Sequence, residues 1–371
     1  MLAVPPQRPA MMTALDQRIA AGWQFSCALL VSGDAQCWGA NLYNQATPPT
    51  ELFTHITAGT AHACGKKADG SVVCWGNNAS GELNAPAGTF VQVDAGDYHT
   101  CGVLANGQLA CWGDNSFNRA TPPTGMFTQV DAGSTHSCAV QGDGQVICWG
   151  NNDDGQLTAP AETFVLVRAG NSFTCGILDN GSLRCWGSND DDRSNPPLGN
   201  YTDLATGNAH ACALRENGTV ACWGYNFLGQ AIAPTGVFAQ ISAGGKHTCG
   251  RRPDGTFSCW GDNTEGQAPQ LLLSPDTFPG CRSASDCLRS FSASGGTPDY
   301  LYDLVAGTLP LGLSLSNSGT LSGIPTQSGD FGFTIRVRDA GIPTLSTRKN
   351  YILTVFYQTP LFLPLVAHAL P

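Results

Sequence analysis

Of the sixteen cysteines in this chain, fourteen obey one spacing rule. Cys27 and Cys37, Cys64 and Cys74, Cys101 and Cys111, Cys138 and Cys148, Cys175 and Cys185, Cys212 and Cys222, and Cys249 and Cys259 are each ten residues apart, and each pair starts 37 residues after the last. A histidine stands two residues before the first cysteine in five copies (His62, His99, His136, His210, His247), with Phe25 and Phe173 in the other two. Such residues at such a spacing allow two chemistries. An imidazole and two thiolates on facing strands make three zinc ligands, whereas two sulfurs facing each other make a disulfide. The two copies with phenylalanine keep both cysteines, and a disulfide has no need of the histidine. We therefore read the pairs as disulfides within each repeat, and the histidines as a recurring core position where a ring nitrogen bonds neighbouring backbone.

The elements that must bring the sulfurs together follow from the residues between them. Every copy carries a glycine at one place (Gly33, Gly70, Gly107, Gly144, Gly181, Gly218, Gly255), usually preceded by Asn or Asp. That is the signature of a hairpin with a three-residue turn closed by a left-handed glycine, which sets Lys67 opposite Ser71 and Cys64 opposite Cys74. An alternating apolar segment such as Phe90 to Ala95 precedes each hairpin and reads as a further strand, so each unit has three strands, with a short fourth only weakly signalled. After each Trp-Gly come an asparagine (Asn41, Asn78, Asn115, Asn152, Asn189, Asn226, Asn263) and a residue that tolerates positive φ: Asn44, Gly81, Asn118, Gly155, Asp192, Gly229, Gly266. These are turn residues. Units of this size cannot bury their own faces, and seven of them close most simply as a ring. The expected fold is an all-β, seven-bladed β-propeller of 37-residue repeats with its tryptophans packed between blades.

The pattern Ala-Gly-x-x-His-x-Cys, then Asp/Asn-Gly, then Cys-Trp-Gly-x-Asn-x-x-Gly-Gln resembles the regulator of chromosome condensation repeat family in its bacterial form with paired cysteines. Its compact spacing and Gly-Gln-x-x-x-Pro link are also similar to β-lactamase inhibitor protein II, whose blades have three strands. The resemblance covers residues 16–270. It implies one protein partner, through nucleotide exchange on a small GTPase in one case and β-lactamase inhibition in the other. In the inhibitor, aromatics in the loops after the Ala-Gly step engage the enzyme; here only Trp23 and Tyr98 match in type, which argues against that activity.

The remainder of the chain divides by texture. Residues 1–15 stand outside the repeat and lack the apolar core of a secretory signal. Residues 271–287 depart from the period and hold Cys281 and Cys287, read as an eighth disulfide tying down a linker. Within 288–357, Phe331, Phe333, Ile335 and Val337 alternate with smaller or polar residues, as a half-buried strand does. This region resembles the immunoglobulin-like domain common on bacterial surface proteins and is expected to form a β-sandwich. An apolar tail, 358–371, is too short and proline-broken to span a bilayer. Evenly paired cysteines argue for an oxidising compartment, hence a secreted or cell-surface protein. With 18 Lys and Arg against 28 Asp and Glu, the charge has the wrong sign for nucleic acid.

No catalytic motif stands out: there is no nucleophile elbow, phosphate-binding loop, zinc-protease helix or redox pair of cysteines. No cofactor is implied. Strand direction instead places the Ala-Gly-x-x loops and the Gly-x-Asn-x-x loops at one end of the ring, where the repeats differ most. Variation on a constant scaffold is how repeat proteins build a binding face. The candidate contact residues are Trp23, Tyr43, Asp97, Tyr98, Phe117, Tyr225, Phe227 and Lys246, recognising a protein or a glycan. Asp153, Asp154, Asp190 and Asp191, on neighbouring blades, are weaker candidates for calcium. A structural adhesion spacer is the alternative in which these loops bind nothing.

Overall fold

The computed structural model describes residues 18–269, 271–275, 277–294, 299–340 and 344–357; the expected N-terminal segment 1–15 and the tail 358–371 lie outside them. The chain divides into two compact units, the first carrying the repeats and the second beginning at Leu271.

In the first unit each repeat is one antiparallel three-stranded sheet, and among the described residues there are seven of them. The second blade is representative: an inner strand His55–Ala58, a middle strand His62–Lys66 and an outer strand Val72–Gly76. The Lys67 N–H donates to the Ser71 carbonyl at 2.8 Å and the Gly70 N–H to the Lys67 carbonyl at 3.0 Å, with Gly70 at φ +83°. That turn fixes Cys64 opposite Cys74. All seven repeat pairs are disulfides, with Cα atoms 4.0 to 4.1 Å apart. No fourth strand joins any described blade.

Each blade's core is shared with the next. Cys64 and Cys74 pack with Phe90, Val93 and Trp112 of the following blade, and Cys27 and Cys37 with Phe53, Ile56 and Trp75. The indole N–H of each of the seven Trp-Gly steps reaches back into the preceding blade's link, as Trp112 does to the Glu82 carbonyl at 2.9 Å. Inner strands are stitched together by side chains that imitate backbone. Gln92 donates to the Val130 carbonyl at 2.8 Å and accepts the Val130 N–H at 2.9 Å; Gln129 treats Val167 the same way.

At the axis the blades come so close that side chains are excluded. A Cβ on Gly59 would stand 2.1 Å from the Gly96 carbonyl oxygen, and one on Gly96 equally close to that of Gly133. This is the physical reason for the Ala-Gly step. The ring closes with the same bonds that join its other blades: Ala21 N–H to Ser242 Oγ at 2.9 Å, Trp38 to the Gln267 carbonyl at 3.0 Å, and Gly245 N–H to the Gly22 carbonyl at 3.1 Å.

The second unit contains a four-stranded sheet and a three-stranded one. In the larger, Leu301–Gly307 pairs with Gly329–Arg338, which pairs with Ser346–Phe356. The expected linker 271–287 is folded into this unit. Cys281–Arg282 runs parallel to the end of Ser346–Phe356, and Cys287–Ser290 pairs with Thr320–Gly323 in the smaller sheet. The Cys281–Cys287 disulfide thus ties one sheet to the other. Phe333, Ile335 and Val337 are buried as their alternation requires, with Phe291, Tyr302 and Tyr351 beside them, while Phe331 at the start of the run is only half-buried.

Candidate functional site

The two loop sets at one end of the ring are bonded to each other. Asp114 N–H donates to the Tyr98 carbonyl at 2.8 Å, Tyr225 N–H to that of Ala209 at 2.9 Å, and Asp262 N–H to that of Lys246 at 2.9 Å. On this end the candidate aromatics fall in pairs, blade by blade. Trp23 and Tyr43 belong to the first blade, Tyr98 and Phe117 to the third, and Tyr225 and Phe227 to the sixth. Tyr98 is 43% exposed, Phe117 58% and Phe227 83%; Tyr43 and Lys246 are exposed, Tyr225 and Trp23 half-buried.

Trp23 and Asp97 line the axial mouth, a cavity of about 70 Å³ walled by the Ala-Gly steps. Burial pushes the Asp97 carboxyl above its ordinary range, with the Ser134 and Thr60 hydroxyls and Arg119 pulling it back. A second cavity of similar size beneath it is lined by Thr57, Asp94, Asp131, Arg168 and Ser242. There Asp94 accepts the Ala132 N–H at 2.8 Å and the Thr57 hydroxyl at 3.1 Å, and Asp131 binds the Arg168 guanidinium at 3.1 Å. Burial, reinforced by Asp131, drives the Asp94 carboxyl well up.

The loop tips depend on one residue that sequence reasoning passed over. In five blades a Gln or Glu two residues past the tip accepts the tip's own N–H, as Gln45 does from Tyr43 at 2.8 Å and Gln156 from Asp154 at 2.9 Å. In the third and fifth blades that residue is Arg119 or Arg193, which has no acceptor to offer. There the tip turns left-handed instead: Phe117 at φ +59° and Asp191 at φ +55°. Such a backbone is costly for a phenylalanine. Arg119 is bonded elsewhere, to Asp114 at 2.6 Å and the Ser134 carbonyl at 2.7 Å, and it lies 5.7 Å from the centre of the Tyr98 ring. The remaining turn positions agree with the sequence reading, with Asn44, Asn118 and Asp192 all left-handed.

The weaker calcium candidates do not converge. Asp153 accepts from Asn151 at 2.8 Å, and Asp191 pairs with Arg193 at 3.1 Å. Among the described residues no group of three or more His, Cys, Asp or Glu is arranged to hold a metal.

The repeated histidines correct one expectation. Their partner is a side chain on the next blade, not backbone. His62 Nε2 meets Thr100 Oγ1 at 2.9 Å, His99 meets Ser137 at 2.7 Å, His136 Thr174 at 2.8 Å, His210 Thr248 at 2.8 Å and, across the seam, His247 Ser26 at 2.7 Å. A serine against an imidazole is also the arrangement of a nucleophile and its base. Here both are fully buried and the pairing recurs at five interfaces, so it is a latch. Burial lowers these histidines from 6.5 to about 3 or 4 and keeps them neutral. At the two remaining interfaces Phe25 packs with Ala63 and Phe173 with Ala211.

Fold and surface together define a disulfide-stapled propeller with a varied loop end, and its repeats match a family model. The model described as "Regulator of chromosome condensation (RCC1) repeat" matches residues 17–45, 53–82, 90–119, 127–156, 164–192, 201–230 and 238–267. The chain belongs to that family. Residues 286–356 match the model described as "Putative Ig domain". No curated relative matches the chain. Among solved structures it is similar to the CRINKLY WD40 ectodomain of the Arabidopsis thaliana receptor kinase ACR4, at 28% identity and TM-score 0.57 over 66% of this chain and 97% of that one. It is also similar in fold to the entire ectodomain of the Physcomitrella patens receptor kinase CR4, at 22% identity and TM-score 0.58 over 90% of this chain and 94% of that one. Prp20p of Saccharomyces cerevisiae shares the fold at 15% identity and TM-score 0.55, over 61% of this chain and 80% of that one.

Proposed function

We propose that this chain is a secreted or cell-surface binding protein, without catalytic activity, that recognises a protein partner through the loop end of its ring. The observation that carries the reading is the contrast between constant and varied positions. The latches, stitches and indole bonds recur from blade to blade, while the tip residues read Tyr43, Ser80, Phe117, Asp154, Asp191, Leu228 and Glu265 around the ring. A scaffold so uniform leaves specificity to the tips, and exposed aromatics at such positions serve as contact anchors. An oxidising compartment agrees with eight disulfides and, among the described residues, no free cysteine. The receptor ectodomain at 28% identity and Prp20p, studied for its binding to Gsp1p and histones, are relatives in keeping with recognition of a protein.

The test is affinity capture from extracellular proteins with the oxidised chain, beside a variant carrying Trp23→Ala, Tyr98→Ala and Phe117→Ala. A partner retained by the parent and lost by the variant is expected. The same capture by both would remove the loop end from consideration and favour a structural spacer.

A further inference from the structure

The loop end also carries information on the chemistry of its partner. At equivalent tip positions on consecutive blades, the third to the fifth, stand Phe117, Asp154 and Asp191, with Tyr98 on the inner side of Phe117. Asp153, Asp190 and Asp192 flank the two acidic tips, and all five carboxylates are exposed. Among the described residues, the only cations in the loops at this end of the three blades are Arg119 and Arg193, and both are buried. Arg119 is engaged by Asp114 and the Ser134 carbonyl; Arg193 is engaged by Asp191 at 3.1 Å and the Asp190 carbonyl at 2.7 Å. Neither offers its charge to an incoming ligand. The opposite end of the ring interleaves its signs, with Lys67 on Glu51 at 3.0 Å and Arg215 beside Glu216 in sequence.

We propose that blades three to five form one docking sector for a Lys- and Arg-bearing segment of a protein partner, whose adjoining apolar side chain packs on Tyr98 and Phe117. This rests on the reading of the loop end as a recognition face. Complementary charge would steer and orient such a segment, and the aromatic pair would hold it. Tyr98 sits on a guanidinium fixed by its own bonds, and Arg119 sets the backbone of Phe117, so the anchors are held in place before the partner arrives. An anionic glycan is disfavoured by the same carboxylates, and a neutral one would leave them unused.

The experiment is fluorescence anisotropy with a labelled synthetic peptide, a leucine followed by a run of lysines and arginines, on the full chain. Four proteins are compared: the parent, D154N/D191N, Y98A/F117A, and D69N/D143N, which removes the same charge from the hairpin-turn end. The expected result is weakening of roughly tenfold or more for each of the first two variants and no change for the third, with an affinity that falls as salt rises. Equal weakening by the two neutralising variants would reduce the binding to net charge and overturn the proposal, as would a parent that does not bind. If Y98A/F117A loses the natural partner in the capture experiment while D154N/D191N keeps it, the basic partner is excluded and the loop-end reading stands. If neither variant matters in either assay, both fall.

Discussion

Replacing His99 by phenylalanine leaves the Ser137 hydroxyl buried without its imidazole, and replacing Ser137 by alanine strands the imidazole. Each single change should cost about 1–3 kcal/mol, the desolvation penalty of an unsatisfied buried group. His99→Phe with Ser137→Ala reproduces the apolar interfaces at Phe25 with Ala63 and Phe173 with Ala211, and should cost less than the sum of the two. Urea unfolding of the four proteins gives the coupling; strictly additive costs would refute the latch. The pairing is written in the sequence: 38 positions past the residue that stands two before each repeat's first cysteine is Ser or Thr where that residue is histidine and Ala where it is phenylalanine, counting round the ring. It stays hidden when each repeat is read alone, because the partner sits in the next repeat at a register shifted by one. Arg119→Gln makes a second prediction at this scale: the restored acceptor should draw the Phe117 N–H and return that residue to negative φ in a crystal structure. A tip that stays left-handed would show that Arg119 does not set it.

At the scale of the strand and turn, the sequence is a faithful guide wherever geometry is local. Turn glycines, the ten-residue cysteine spacing and the alternation at Phe333 to Val337 each dictate contacts between residues close in the chain. The axial crowding is different, because the Ala-Gly step reads as a loop signal until neighbouring blades are set around it. Gly96→Ala should therefore be far more damaging than an ordinary loop substitution. Its methyl group would collide with backbone at 2.1 Å, and a cost of about 3 kcal/mol or more follows from strain that packed elements cannot relieve. Thermal melting would detect it; a melt within a degree or two of the parent would mean that the axis yields. The segment 271–287 carries little local signal for the converse reason. Its strands pair with partners far along the chain, one of them in parallel, and nothing in a short irregular stretch announces that.

For the molecule as a whole, pH acts through two buried sets with opposite signs. The latch histidines, about 6.5 when unfolded and about 3 or 4 in the ring, bind fewer protons folded than unfolded. Stability should fall as pH drops from 6.5 towards 4, by on the order of 2 kcal/mol for each histidine at pH 5. His99→Phe with Ser137→Ala should flatten that loss by a similar amount, read from urea midpoints across the range. Asp94, raised by burial and by Asp131, binds more protons folded, so its contribution favours acid and is lost as pH rises. Asp94→Asn should be more stable than the parent at neutral pH, the gap narrowing as pH falls and the native carboxyl takes up its proton; a constant gap would assign the effect to packing. The latch also bears on how such a ring can grow. Its two halves are consecutive residues in each repeat, so every blade is a domino with two marked ends. Copying the third blade in tandem would set His99 against a second Thr100, a match. Copying the second would set His62 against Ala63, a mismatch. By that rule only the third, fourth and seventh blades can be duplicated without a compensating change, and ancestral gains or losses of blades should have left their scars where phenylalanine meets alanine.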